Sequence, residues 1–309
     1  MAKAKGLAVL EMGLGAAGLA AGLGGALAGH AFIQEYLYFF AWHPFIALLD
    51  GWLMWRTGEN WLWTRPRQLA KLCGWSVTVW LIFEVINLRL GNWGYVGIAP
   101  ERWIRWPGYA LAFATVLPGV LLTAQVLQVQ GWWQGRSGRP LNLGAWPAPS
   151  LLLGATLLML PLLAPNYAFP CVWLAFIFLL DPINALWGGH SLISAWLAGQ
   201  RQEHYCLMAA GLLCGLWWEA WNALSTAKWI YTLPALNFGK IFEMPFLGYL
   251  GFMPFALECA VMYNFFKALE AQVFTSPARR RAALLVTLAL WLAAFAAMDA
   301  WTVRSFSDQ

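Results

Sequence analysis

Charge is what this sequence has least of. Only 11% of its 309 residues are Asp, Glu, Lys or Arg, while 61% are hydrophobic. A water-soluble domain carries about 25% charged residues to cover its surface, so most of this chain's exterior must face lipid. The stretch Leu151 to Leu180 has no charged residue at all and exceeds the roughly 20 apolar residues that cross a bilayer. Also missing is the alternation of apolar and polar residues that marks the strands of a membrane barrel. The spans are therefore read as helices, which satisfy their backbone polar groups within each segment.

Other absences exclude whole classes of chemistry. The five cysteines (Cys73, Cys171, Cys206, Cys214, Cys259) have no CxxC spacing and lie mostly in apolar runs. They read as small buried residues rather than disulfides or ligands. His43, His190 and His204 show no metal-ligand spacing, so no metal site is expected. There is no Walker loop, dinucleotide fingerprint, haem attachment motif or nucleophile elbow, and no cofactor is expected. The formal net charge of +5 comes from loop Lys and Arg that membrane topology accounts for, so no nucleic-acid partner is implied.

What remains is an all-α, polytopic transmembrane helix bundle of about nine spans. These are placed at 7–29, 31–55, 69–90, 107–129, 148–165, 168–188, 205–224, 244–267 and 282–303. Glu11 interrupts the first apolar run, which reads as a helix rather than a cleaved signal. Its Gly18xxxGly22 and Gly25xxxGly29 spacings permit close helix contact, within the chain, with a second copy, or with a larger membrane complex. Of the 19 Lys and Arg, thirteen fall on one side of this arrangement and six on the other. That bias predicts a cytoplasmic N-terminus and an outer C-terminus, in a multi-pass protein of a bacterial inner membrane.

The chain also resembles itself. His43-Pro-Phe-Ile-Ala-Leu-Leu-Asp50-Gly aligns with Asp181-Pro-Ile-Asn184-Ala-Leu-Trp-Gly-Gly. Phe83-Glu84-Val-Ile-Asn87 aligns with Trp218-Glu219-Ala-Trp-Asn222, and Trp93-Gly-Tyr95 with Trp229-Ile-Tyr231. Pro107 and Pro118 answer Pro245 and Pro254. The order predicts two parallel four-helix repeats, residues 1–140 and 141–270, followed by a basic loop and an appended helix in 271–309. An even number of spans per repeat places a pseudo-two-fold axis along the membrane normal.

Carboxylates at membrane depth are costly and usually mark function, which singles out Glu84, Glu219 and Glu258 as candidate catalytic acids. Asn87 and Asn222 share a helix face with the first two at i+3. With Tyr95, Tyr231, Trp93, Trp229, Trp218 and Asp181 they form the candidate substrate-binding set. An opposing expectation is that Glu84 and Glu219 pair with the nearby bases Arg89 and Lys228 and only lock packing. Glu258 lies near mid-membrane without a base. The 22 Trp read chiefly as interfacial anchors and core, and alternatively as the walls of a cavity whose ring faces stabilise a cation.

The repeated Trp-x-Tyr, the Trp218-Glu219 pair and the Leu250-Gly-x-x-Pro254-x-x-Leu-Glu258 run resemble the integral-membrane lycopene cyclases and related membrane terpene cyclases. The resemblance implies acid-initiated cyclisation of an isoprenoid olefin by membrane-embedded carboxylates without a redox cofactor, Glu219 matching the Trp-Glu acid and Glu258 the Pro-x-x-x-Glu acid. Three departures stand beside it: Cys259 follows Glu258 where the family has a second acid, the first repeat lacks an acid at that place, and repeats of four spans exceed the family's usual size. The expected function is an integral-membrane enzyme acting on a long apolar lipid, with isoprenoid or carotenoid cyclisation or hydration as its reaction. A lipid or small-molecule transporter and an accessory subunit of a membrane complex are the alternatives.

Overall fold

The structure, a computed structural model, describes residues 2–235 and 237–306. The Lys3 side chain, used above for orientation, and residues 307–309 lie outside the described set. The chain is mostly helical. In order, the elements are α1 (Ala2–Leu27), α2 (Ala31–Glu35), α3 (Leu37–Thr57), α4 (Pro66–Leu90), β1 (Trp93–Val96), α5 (Arg102–Phe113) and α6 (Val116–Val129). They continue as α7 (Pro147–Leu163), α8 (Pro165–Ala168), α9 (Val172–Leu186), α10 (Leu192–Leu197) and α11 (Gln202–Leu224). The chain closes with β2 (Lys228–Tyr231), β3 (Lys240–Ile241), β4 (Met244–Pro245), α12 (Phe252–Gln272) and α13 (Pro277–Trp301).

Seven helical stretches among the described residues are long and apolar enough to cross a membrane, which marks a multi-pass membrane protein. They are α1, α3, α4, α5 with α6, α8 with α9, α12 with the turn before it, and α13. Two further helices occupy places where spans are expected. The apolar α7 has 17 residues, short of the roughly 20 a span requires. The 23-residue α11 is long enough, but it buries His204, Glu219 and Asn222.

The departure from an all-helical fold is small. Two antiparallel strand pairs form, β1 with β2 and β3 with β4, in loops that helix periodicity alone does not resolve. In the first pair Trp93 lies opposite Tyr231 and Tyr95 opposite Trp229.

Close packing begins with α1 against α3. A Cβ added at Gly15 would stand 2.7 Å from the Pro44 carbonyl oxygen, and one at Gly22 would stand 2.8 Å from that of Phe40. Only residues without side chains allow that approach, so this glycine stripe faces α3 of the same chain. The α7–α9 contact repeats the device at Gly154, where a Cβ would meet Leu179 N at 2.3 Å. Pro118 and Pro254 each sit in the first turn of a helix, α6 and α12, where a missing N–H is tolerated. Pro107 and Pro245 do not match in this way: the first lies inside α5 and the second ends β4.

The last helix is tied in more firmly than an appendage. The Tyr95 amide donates to the Thr302 carbonyl (2.8 Å) and the Arg304 amide to the Tyr95 carbonyl (2.7 Å). The tail after α13 thus lies beside β1 as a further strand. Behind it, Asp299 accepts a two-point bond from Arg105 (2.8 and 2.6 Å) and a third from the Trp106 indole (2.9 Å).

Candidate functional site

The Glu–Asn and Trp-x-Tyr motifs come together because a strand follows each of the two helices. Alternate residues of a strand face the same side, so an i, i+2 aromatic pair can address one carboxylate. Glu84 Oε1 accepts from the Trp93 indole (3.0 Å), the Tyr95 hydroxyl (2.5 Å) and the Trp80 indole one helical turn earlier (3.0 Å). Glu219 Oε1 accepts from the Tyr231 hydroxyl (2.7 Å) and the Trp229 indole (3.4 Å). Both carboxyls are buried, at 1% and 0% exposure. In each, Oε2 has no hydrogen-bond partner.

The asparagines have a different task from the one expected of them. The Asn87 amide nitrogen donates to the Trp93 carbonyl (2.9 Å), and its Oδ1 accepts from the Asn92 amide (2.8 Å). Asn222 donates to the Trp229 carbonyl (2.9 Å) and accepts from the Trp229 amide (3.0 Å). Each clamps the start of its strand to the preceding helix, and neither lines the cavity described below. Arg89 bonds the Leu162 carbonyl and Lys228 pairs with Glu243, so these bases do not engage Glu84 or Glu219.

A cavity of about 490 Å³ opens beside the strand pair, within the range of ~300–1,000 Å³ usual for small-molecule sites. Glu219, Tyr231, Trp229, Trp218, Trp93 and Tyr95 line it. Glu84 stands one layer back, behind Trp80, Trp93 and Tyr95, which do line it. The remaining wall is aromatic. Trp173 stacks near Phe83 (5.2 Å between centroids, 21°) and meets the Phe255 ring edge-on (5.6 Å, 89°). Trp218 donates its indole proton to the Tyr38 hydroxyl at 2.9 Å.

Two expected site residues lie elsewhere. Glu258 is fully buried, accepts the Phe176 amide on Oε1 (2.9 Å) and does not reach the cavity. Asp181, equally buried, accepts the Ser191 hydroxyl (2.6 Å) and the Leu192 and Ile193 amides (3.0 and 2.7 Å). It fixes the turn into α10. Asp50 does the same for the Trp61 and Leu62 amides (2.8 and 2.9 Å).

Several cavity residues lie outside the motifs visible in the sequence. Trp80 had a usable signal, since it lies four residues ahead of Glu84 on the same helix face. Tyr38, Trp173 and Phe255 reach the site only through tertiary packing, and Asn92 carried no motif. No group of three or more His, Cys, Asp or Glu able to hold a metal occurs among the described residues. Comparison with family models, curated proteins and solved structures finds no match to this chain.

The class that fold and site together define is a multi-pass helical membrane protein with an aromatic cavity and two carboxyl side chains, Glu35 and the buried Glu219, in its wall.

Proposed function

We propose that the chain is an integral-membrane enzyme that protonates a carbon–carbon double bond of a long apolar lipid, an isoprenoid or carotenoid, with Glu219 as the acid. One observation carries this: Glu219 lines the aromatic cavity with Oε1 taken by two donors and Oε2 without a partner. A proton on this carboxyl resides on Oε2, the oxygen that no protein donor engages.

Transfer of that proton to an olefin breaks the O–H bond, uses the π pair to form a C–H bond and leaves a tertiary carbocation. Tyr231 and Trp229 stabilise the carboxylate left behind, as fixed donors placed where charge develops. The faces of Trp218, Trp229 and Phe255 stabilise the cation. Ring closure by a second double bond, with the proton then lost to the Glu219 carboxylate, gives a cyclised product and restores the acid; attack by water, with its proton passed to the same carboxylate, gives an alcohol. The resemblance to membrane lycopene and terpene cyclases supports the reaction class at Glu219. Glu258 takes the part of a buried packing group in this account.

Around the site we read two related four-helix halves and a ninth span, with the N-terminus on the cytoplasmic side of a bacterial inner membrane. The matched bonds of Asp50 and Asp181, and of the two Glu–Asn–Trp–Tyr sets, support the halves. The experiment is lipid profiling of cells that make acyclic isoprenoids and express the wild type, E219Q or E84Q. Loss of the new product with E219Q at normal protein levels is expected. An unchanged profile with E219Q overturns the assignment.

A further inference from the structure

Where the cavity meets the surface, its wall changes character. Among the described residues that line it, four are exposed: Pro170, Leu174, Leu247 and Leu250. All four are apolar, and the three leucines keep 38%, 36% and 55% of their surface. The polar side chains of the same wall are covered instead. Asn92, Arg105 and Glu219 are buried, and Glu35 and Lys228 are half-buried. The helix that carries Glu35, α2, is tied to the loop before β2, since the Gln34 carbonyl accepts the Thr226 amide (3.1 Å) and the Ser225 hydroxyl (2.8 Å). Lys228 is drawn to Glu243 at 3.3 Å. An opening built to face water would carry polar residues at its exposed rim; a contiguous apolar rim marks a contact with lipid or protein.

The position of the rim decides between these. Pro170 and Leu174 belong to the membrane-crossing stretch Pro165–Leu186, and Leu247 and Leu250 to the stretch Phe246–Gln272. The opening therefore lies between two spans, near their starts, where the surrounding medium is lipid. Deeper in, the same spans are joined: Glu258 on α12 accepts the Phe176 amide of α9 at 2.9 Å. Toward the starts of both helices the contact thins at Gly251, where an added Cβ would meet only Trp173, at 4.0 Å. Glu258 closes the floor of a gap that the glycine leaves open above it.

We infer that the cavity takes its ligand sideways from the bilayer, through a portal between the start of α9 and the turn Phe246–Gly251 before α12. The ligand is the long apolar lipid proposed above; the route rests on that reading for its passenger and not on the acid chemistry. No exposed rim side chain carries a charge or a hydrogen-bonding group. A hydrocarbon chain thus crosses the rim without exposing its surface to water, and meets the aromatic wall at Trp173 and Phe255 as it enters.

The test uses the full chain in lipid nanodiscs, with iodophenyl trifluoromethyl diazirine, a neutral apolar photoprobe, dissolved in the bilayer. Labelled residues are mapped by mass spectrometry after illumination. Leu285 on α13, 67% exposed, reports the outer surface. Trp218 and Tyr95, buried in the cavity wall and on neither portal element, report the interior. In the wild type all three should be labelled. G251F puts a ring into the gap at an ordinary backbone φ of -68°, so label at Trp218 and Tyr95 should fall to background while Leu285 keeps its own. L250W, at an exposed rim position, should lower the interior label in the same direction. An unlabelled interior beside a labelled Leu285 in the wild type overturns the portal, and so does interior label undiminished in both variants. Neither result bears on Glu219: product made by E219Q would overturn the acid and leave the portal standing.

Discussion

Trp80 and Gly215 stand at the same distance, four residues, ahead of Glu84 and Glu219. The Trp80 indole supplies a third donor to Glu84 Oε1 at 3.0 Å. At Gly215 an added Cβ would fall 2.1 Å from Cδ2 of Phe252, whose ring takes the space and lines the cavity. One acid is thereby enclosed by three donors, and the other is left with two and a cavity in front of it. The difference between a held carboxyl and an available one comes down to one side chain.

Substituting G215A tests this directly. The new methyl group must displace the Phe252 ring, and overpacking of this kind costs about 1–3 kcal/mol. A lower unfolding temperature with weakened binding of an apolar ligand is expected in calorimetry and fluorescence titration. An unchanged cavity affinity would show that Phe252 does not shape the site.

The two tyrosines should separate in the same way. Y95F removes the shortest bond to an acid that does not line the cavity, so its cost falls on stability, about 1–3 kcal/mol for the group left unmet. Y231F removes the donor that stabilises the carboxylate after proton transfer, so turnover should fall by ~10²-fold or more. Thermal unfolding and product formation, measured on both variants, check the division.

How far the sequence alone reaches is clear at these residues. Glu84 and Glu219 could be found because charge at membrane depth is expensive, and Trp-x-Tyr because it recurs at nearly equal distance after each Glu–Asn pair. The task of Asn87 and Asn222 could not be read, because an amide clamping a strand and an amide facing a ligand look alike in one dimension. Glu258 shows the same limit from the other side, as its depth was legible but its partner, the Phe176 amide, comes from another helix. The role of α13 was hidden too: the Asp299–Arg105 pair joins residues 194 apart in the chain.

That pair supports a further prediction. Both side chains are nearly buried, at 4% and 8% exposure, and removing one partner of such a pair typically costs about 3–5 kcal/mol. D299N should lower the unfolding temperature strongly. It should also speed amide exchange at Tyr95, which is held by the tail just beyond Asp299. Exchange at Tyr95 as slow as in the wild type would mean the tail stays docked without the pair.

On the loop between α9 and α10, His190 bonds Glu203 at 2.8 Å, and this carboxylate raises the imidazole above its ordinary value of 6.5. A folded value above the unfolded one stabilises the fold below about pH 6.5 and loses that effect as pH rises through the raised value. The wild type should therefore lose unfolding temperature relative to E203Q as pH climbs from 6.5 through the raised value. Parallel curves for the two proteins would remove the pair from the stability account.

The central claim is that the Glu219 proton is delivered to carbon. The most direct measurement is turnover in deuterium oxide, with the product examined by mass spectrometry. The account predicts one carbon-bound deuterium in the product of the wild type and no product from E219Q. Product free of carbon-bound deuterium, or equal labelling by E219Q, would contradict it.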